Sequence, residues 1–450
     1  MDTAAQSSDL DLVRDLIDRA RRAGADAADA LVVRSASLSH SQRKGALEKL
    51  EREEGADLGL RVIVGQRQAS ISSTDLAPAG FDDLAGRALA MARAVPEDRY
   101  CGLADPEEIC TLLPELEMAD EAEPSAAELI ARAQACEGAA MAVSGVTNSD
   151  GADASWSRSK MALAASNGFA GSYARTRHSV SVAVIAGEGV GMERDYDFTT
   201  AVYAEDLEDA AQVGERAGTR TVRRLHPRRV KTQQVPVVYE ARTAGGLLRH
   251  LAGAINGNAI ARRTSFLKEK LGQHVFGTGI TIVDDPHRPR GLSSRPFDGE
   301  GVTNRRREIV ADGVLTTWLL DLASARQLGL KSTGHAARGT GGPPGPSATN
   351  LYLVPGTLTP KELIADIAQG FFVTELMGMG INQVTGDYSR GAAGFWIENG
   401  ALAYPVSELT VAGNLKDMFL RLTPANDLRF RFGADSPTVR IEGMTVAGTS

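Results

Sequence analysis

Cysteines and long apolar runs are both scarce in this sequence of 450 residues. The three cysteines, Cys101, Cys110 and Cys136, are odd in number and lack CxxC spacing. This argues against a disulfide framework and against a cysteine-based zinc site. No apolar run reaches the ~18 residues of a membrane span, and the N-terminus shows no signal-peptide pattern. We therefore expect a cytoplasmic protein without a membrane segment.

An excess of positive charge is also missing. The formal net charge is −8 and the sequence pI is about 5.5, which argues against a nucleic-acid-binding protein. The basic stretch at 222–231 is interpreted as a helix end followed by a solvated linker, with a patch for an anionic partner as the alternative. Serine-hydrolase and nucleotide-binding signatures are absent too, because no G-x-S-x-G or complete G-x-G-x-x-G motif occurs.

The length predicts more than one domain. Periodicity favours an α+β fold with two smaller N-terminal α/β units and a larger C-terminal domain. We place the units at 1–95 and 125–230, an acidic, proline-containing linker at 96–124, and the C-terminal domain at 234–450. One long helix is predicted at 243–263.

Several short signals predict where elements begin and turn. Ser125 with Glu128, and Thr359 with Glu362, are capping boxes that start helices. An Asp312-Gly313 pair predicts a hairpin turn. The Gly- and Pro-rich segment 339–350 predicts no regular structure and is interpreted as a mobile or partner-ordered loop.

The segment from Thr374 to Leu415 contains the largest number of turn and loop signals. Its dense glycines allow positive φ and close backbone approach. Asn399-Gly400 predicts a type I′ hairpin turn between two strands. Before that hairpin, a Gly-rich segment and a polar loop surround Gly386-Asp387.

The same stretch carries a family resemblance. The matching segments are GMGINQVTGDYSRGAAGFWIENG and YPVSELTVAGNL. They resemble the C-terminal domain of the TldD/PmbA family, peptidase-related proteins also called modulators of DNA gyrase. The resemblance extends to 320–336 and 436–448. It implies a C-terminal domain of strongly bent, mostly antiparallel sheet, with a helix at the family's metal position.

In the catalytic branch of this family, that helix carries an HExxxH motif whose histidines, with a later cysteine, resemble a zinc site. The alignment puts Arg249 and Ala254 at the two histidines and His250 at the glutamate. No cysteine follows Cys136. We therefore expect no cofactor in this chain. A rearranged site that uses His250 and His335 is the minority alternative.

In lacking these three metal ligands, the chain resembles the PmbA branch of the family, also called TldE. The resemblance implies a non-catalytic subunit of a cytoplasmic metalloprotease, paired with a zinc-bearing TldD-type partner and acting on unfolded or extended peptides such as precursor peptides or antitoxins. A homodimer is the alternative when the chain is alone. A self-sufficient hydrolase and a gyrase-directed binding protein are the alternative functions.

The Gly-rich segment and the polar loop are the predicted substrate or partner groove, with internal turn geometry as the equally weighted alternative. The predicted groove residues are Gly378, Gly380, Asn382, Thr385, Gly386 and Asp387.

Overall fold

The computed structural model describes residues 3–378 and 380–448. Its α-helices are α1 (Thr3–Arg22), α2 (Phe81–Ala94), α3 (Ala126–Ala142), α4 (Ala210–Arg223), α5 (Ala241–Ala254), α6 (Gly257–Ala261), α7 (Leu322–Leu328), α8 (Pro360–Ile364) and α9 (Leu415–Leu420). Within these residues, every helix is too short or too polar to span a bilayer.

The strands fall into an N-terminal and a C-terminal set. The N-terminal set is β1 (Ala27–Arg43), β2 (Ala46–Val64), β3 (Arg67–Ser73), β4 (Val146–Ala165), β5 (Ala170–Ala186) and β6 (Glu193–Ala201). The C-terminal set is β7 (Gln233–Tyr239), β8 (Ile282–Asp284), β9 (Arg307–Ala311), β10 (Val314–Leu315), β11 (Ala336–Ala337), β12 (Gly345–Pro346), β13 (Leu351–Leu353), β14 (Gln369–Met377), β15 (Asp387–Glu398), β16 (Ala401–Asn414), β17 (Leu422–Pro424), β18 (Ala434–Asp435) and β19 (Val439–Ala447).

The two predicted N-terminal units share one antiparallel sheet, in the order β3-β2-β1-β4-β5-β6. Strands β1 and β4 join them through a long register that runs from Asp29↔Ala165 to Gln42↔Ala152. Each unit contributes a helix, three strands and a second helix. The linker at 96–124 therefore separates the units along the chain but not in the sheet.

Long strands explain how one face of this sheet holds both helix pairs. β1, β4 and β5 contain 17, 20 and 17 residues, or roughly 55–65 Å at about 3.3 Å per residue. Along β1, Ala28 and Val32 pack in the core with α1 and α2, whereas Leu38 packs with α3 and α4. All three are even-numbered and point to the same face, so the two helix pairs lie along one side.

The opposite face of the sheet packs on the linker and the C-terminal domain. Leu31 of β1 lies in a cluster with Phe169 and Phe297, and these two rings meet edge to face at 4.9 Å. Within the linker, the Cys110 N–H donates to the Gly301 carbonyl at 2.9 Å. The linker is irregular, but hydrogen bonds and apolar contacts hold it between the two halves of the molecule.

The C-terminal domain contains a closed barrel. Its sheet runs β16-β15-β14-β7-β19-β17, and an additional pairing of β16 with β19 closes the ring. Only the β7–β14 pair is parallel in this sheet. Bulges bend the strands, and one lies between Ala392 and Gly394. A Cβ at Gly394 would lie 1.9 Å from the Phe372 carbonyl oxygen, so only glycine fits there. The predicted strongly bent, mostly antiparallel sheet is confirmed.

The local predictions of turns and caps are confirmed. Asn399 and Gly400 have φ of 48° and 78° and join β15 to β16, and Asp312-Gly313 joins β9 to β10 with φ of 47° and 80°. Both predicted capping boxes are formed, at the starts of α3 and α8.

The prediction that 339–350 has no regular structure is wrong at one point. Gly345–Pro346 forms β12, which pairs with β11. The segment also packs against the N-terminal sheet, because a Cβ at Gly59 would lie 2.4 Å from the Thr340 carbonyl oxygen. Arg338 forms a buried ion pair with Asp29. Tertiary contacts therefore order a stretch whose composition favours a loop.

Acidic groups are also buried where the two halves meet. Glu300 accepts a hydrogen bond from the Leu322 N–H at 2.8 Å, and its carboxylate lies 4.0 Å from Arg61 Nη1. Burial outweighs the attraction of Arg61 and, with the neighbouring Asp298 carboxylate, raises the pKa of Glu300 to about 8.

We predict that Glu300 makes the fold less stable as pH rises. Between the ordinary value of 4.5 and the folded pKa of about 8, the folded state binds more protons than the unfolded state, so the stability contributed by protonated Glu300 is lost across that window. Glu300→Gln should remove this loss, and the melting temperature of the variant relative to wild type should rise from pH ~5 to pH ~8. Glu308→Gln, at an exposed position of β9, is the control. Parallel melting curves for wild type and Glu300→Gln would contradict the prediction.

Candidate functional site

Helix α5 carries the three positions that the family resemblance aligns with the metal motif. Its buried side chains pack in the main core of the C-terminal domain. Ala254 belongs to that buried face and is fully shielded from solvent, so an inert methyl group stands where a ligand would be needed. Arg249 is exposed, and its permanently charged guanidinium has no lone pair to offer zinc.

The predicted helix at 243–263 is interrupted after Ala254. Asn256 caps α6 by accepting a hydrogen bond from the Asn258 N–H at 3.0 Å. The Asn256 side chain also donates to the Pro346 carbonyl at 2.8 Å. The end of α5 is thereby attached to the segment that contains β12. A polar side chain that satisfies backbone groups on both sides explains why the helix breaks here.

His250 is a neutral, half-buried histidine. Its ring meets the Tyr388 ring edge to face, with centroids 6.1 Å apart. Burial, together with the positive charges of Arg390 and Arg249, lowers the pKa of His250 to about 4. The group aligned with the family's glutamate is thus uncharged near neutral pH and lies among cations.

The predicted groove loop packs directly against α5. A Cβ at Gly253 would lie 3.1 Å from the side-chain amide nitrogen of Gln383, and the Gln383 carbonyl accepts from the Phe266 N–H at 2.9 Å. The side-chain oxygen of Gln383 is buried without a hydrogen-bond partner in the described part of the chain. The sequence pattern predicts its neighbour Asn382 as a groove residue but not Gln383, because no local motif includes the Gln383 side chain.

The loop is also closed by its own hydrogen bonds. Asn382 accepts from the Val384 N–H at 2.9 Å, and Asp387 accepts from the Thr385 hydroxyl at 2.6 Å. Asn414 at the end of β16 donates to the other Asp387 oxygen at 3.0 Å. These bonds are exposed, so Asp387 shapes the turn while its carboxylate remains accessible to solvent.

Three glycines of the predicted set have clear backbone roles. A Cβ at Gly380 would lie 1.8 Å from the Ser389 carbonyl oxygen, and Gly386 has φ of 88°. Gly378 likewise has φ of 76°. The structure thus brings the loop residues together beside α5 and shows that internal turn geometry accounts for much of their identity. Whether they line a groove for substrate or partner stays a prediction.

A cavity of about 350 Å³ opens beside α5. Helix residues Arg249, Gly253 and Asn256 line one side, and residues 346–349 line another. One sequence feature marks the second wall, namely the unusual Gly and Pro content of 339–350. Nothing in the sequence placed it against α5.

His335 has a structural role. Its Nδ1 lies 2.8 Å from the Thr333 hydroxyl, and its Nε2 lies 3.2 Å from Asp284. Both ring nitrogens are therefore engaged inside the C-terminal domain, and none of their partners contacts His250. The alternative of a site built from His250 and His335 gains no support.

The residues at the aligned positions do not fit zinc. Across residues 3–378 and 380–448, no group of three or more His, Cys, Asp or Glu side chains is arranged to hold a metal ion. The arrangement beside α5 offers instead a neutral histidine, nearby guanidinium groups and a cavity. It can bind a polar or anionic ligand, and we assign no metal-dependent step to this chain.

Three family models match successive parts of the chain. They describe the PmbA/TldA metallopeptidase domain 1 (residues 28–92), central domain (119–225) and C-terminal domain (232–448). The chain is 40% identical to "Metalloprotease PmbA" of Escherichia coli O157:H7 over 425 residues, covering 94% of this chain and 92% of the relative. It is 36% identical to the PmbA homolog of Haemophilus influenzae, covering 96% and 94%.

Solved structures support the fold. A candidate modulator of DNA gyrase from Bacteroides thetaiotaomicron superimposes with a TM-score of 0.90 at 28% identity, covering 98% of each chain. TldE from Thermococcus kodakarensis has a TM-score of 0.88 at 20% identity, covering 97% of this chain and 100% of that one. Among the relatives matched by sequence, the "Metalloprotease TldD homolog" of H. influenzae is 26% identical over 234 residues, which cover 48% of each chain.

We predict that His250 titrates near pH 4, well below its ordinary value of 6.5. Because the unfolded state takes up the proton first, His250 should make the fold less stable as pH falls from 6.5 toward 4. NMR of histidine-labelled protein should show the low titration midpoint, and His250→Phe should reduce the loss of melting temperature over this window. The exposed His274→Phe is the control. A midpoint near 6.5 would show that the ring is solvated.

Proposed function

The chain belongs to the TldD/PmbA metallopeptidase family, and from this premise we propose that it is the non-catalytic subunit of a cytoplasmic peptidase complex. The proposed partner is a TldD-type metallopeptidase that holds the zinc. The proposed substrates are unfolded or extended peptides, including precursor peptides and antitoxins. Alone, the chain is free to form a homodimer.

One observation carries this proposal. The methyl group of Ala254 is fully buried in the α5 core, and Arg249 presents a cation at the other aligned ligand position. The chain therefore retains the fold of the family's three domains but not the residues that would bind the metal. Its contribution to peptide cleavage would then come through a surface.

The partner is supported by the relatives and by exposed apolar groups. H. influenzae has both a PmbA homolog and a TldD homolog that resemble this chain. On the chain itself, Met377 and Val384 lie on either side of the Gly-rich segment and are 47% and 54% exposed. Apolar side chains that stay exposed beside a shaped backbone are typical of contact surfaces.

Binding of an extended peptide is supported by the cavity beside α5. It lies next to Gly253, which contacts the loop through Gln383. Extended peptides commonly bind through main-chain hydrogen bonds, which need a closely approachable backbone. The glycines of the loop supply that access.

We expect the chain and a TldD-type paralogue from the same genome to form a stable heterodimer. Co-expression followed by size-exclusion chromatography should give one complex, with an interface of at least ~1,200 Å² in total. The complex should cleave an unstructured peptide faster than either chain alone. Separate elution together with full activity of the paralogue alone would refute the subunit role, and cleavage by this chain alone would favour a self-sufficient hydrolase.

A pair of variants locates the contact. Val384→Asp places a charge in the proposed apolar contact and should weaken association at least tenfold. Leu330→Asp, at a position 44% exposed outside the Gly-rich segment, should leave association unchanged. Equal effects of the two variants would place the interface elsewhere.

We further expect Asp387→Ala to lower the activity of the complex with little change in melting temperature. The carboxylate makes only exposed hydrogen bonds to Thr385 and Asn414, and such bonds contribute about 1 kcal/mol or less. Glu398→Ala removes an exposed carboxylate from the other end of β15 and is the matched control. A large drop in melting temperature for Asp387→Ala alone would assign the loop to the fold instead.

A further inference from the structure

A second cavity lies where the N-terminal sheet faces the C-terminal domain. It has a volume of about 310 Å³. Strands β1, β4 and β5 form one wall, and segments 293–299 and 337–348 form the other. Ser293, Ser347 and Ala348 also line the cavity beside α5. The two cavities therefore adjoin each other at these three residues, and we refer to the pair as the cleft.

The lining of this second cavity is cationic. Arg175, Arg295 and Arg338 all contribute to it, and Asp298 contributes a carboxylate. The Asp298 oxygens are already engaged, because they accept backbone N–H groups of Glu300, at 2.9 Å, and of Val302 and Ala336. The excess of guanidinium groups favours an anionic ligand.

Arg338 is part of this lining. Its side chain is 1% exposed, and its Nη1 pairs with Asp29. Its Nε and Nη2 are buried and have no hydrogen-bond partner within residues 3–378 and 380–448. Leaving buried donors unpaired is energetically unfavourable, and a ligand that pairs with them removes this cost. These two N–H groups form one edge of the guanidinium, the fork that binds both oxygens of a carboxylate.

The other half of the cavity is apolar. Val33 and Met161 come from the sheet, and the rings of Tyr173 and Phe297 meet edge to face at 5.4 Å. An inorganic anion would contact the arginines and leave this apolar half unused. A ligand that carries a carboxylate beside an apolar group fits both halves.

We propose that this cavity binds the C-terminal residue of a peptide, with its carboxylate on the free edge of Arg338 and its apolar side chain against Tyr173 and Phe297. The rest of the peptide would lie along the cleft toward α5. The identity of the ligand as a peptide rests on the proposed function, whereas the preference for a carboxylate beside an apolar group rests on the cavity alone.

Calorimetric titration of the isolated full-length chain tests this inference. The probes are N-acetyl-Ala-Ala-Leu with a free carboxylate, the same peptide as its amide, and inorganic phosphate. We expect the acid to bind at least tenfold more tightly than the amide and than phosphate. Equal binding of acid and amide, or no binding of any probe, would overturn the proposal. Phosphate binding as tight as the acid would assign the site to small inorganic anions instead.

Variants separate the two halves of the site. Arg338→Lys keeps a cation for Asp29 but lacks the fork, and it should weaken binding of the acid at least tenfold. Tyr173→Ala should weaken binding of the acid and leave that of phosphate unchanged. Ser159→Glu places a carboxylate in the lining and should abolish binding even if Arg338→Lys fails to fold. Ser157→Glu, exposed two positions along β4 and outside the lining, is its control.

The outcomes are independent of the proposed partnership. Equal effects of Ser159→Glu and Ser157→Glu would overturn the cavity assignment whatever the partner does. Tight binding of the acid by a chain that forms no complex with a TldD-type paralogue would keep the site and refute the subunit role.

Discussion

A buried network of ion pairs around Asp29 connects the N-terminal sheet to the C-terminal domain. This carboxylate lies on β1 and accepts from Arg61 of β2 and from Arg338 of the C-terminal domain. All three side chains are at most 3% exposed. Removing one partner of such a network typically costs about 3–5 kcal/mol, because the remaining charge stays buried and unpaired. The network thus fixes the 337–348 segment, which forms a wall of both cavities.

The closed barrel provides the second constraint. Pairing of β16 with β19 removes free edges from the strands around α5, and bulges at glycines such as Gly394 make the required curvature. Helix α5 packs into this frame through Leu247, Leu251 and Ala254. Its buried face can therefore preserve the family's architecture while Arg249 and His250 differ in chemistry from the metal motif.

The cleft and the Gly-rich loop both lie beside α5. The proposed partner surface and the proposed peptide-binding cavities are therefore close together. Gly253 contacts the Gly-rich loop through Gln383, and the same residue lines the cavity beside α5. That cavity adjoins, at Ser347, the second cavity that Arg338 lines. A surface for a partner, a path for an extended chain and a cationic pocket thus adjoin one another. None of them requires a metal in this chain.

Features that depend on neighbouring residues could be predicted from the amino-acid sequence. Turns at Asn399-Gly400 and Asp312-Gly313, and the caps at Ser125 and Thr359, follow from local φ preferences and hydrogen bonds across three residues. The substitution of the metal ligands at Arg249 and Ala254 was equally readable once the resemblance had aligned them. Features that join distant segments could not be predicted in this way and are seen in the folded chain. They include the shared sheet of the two N-terminal units, the closure of the barrel, the order imposed on 339–350, and the meeting of Arg175, Arg295 and Arg338 in one cavity. Such pairings leave no local signature, because each strand or arginine is compatible with many partners until the whole chain has packed.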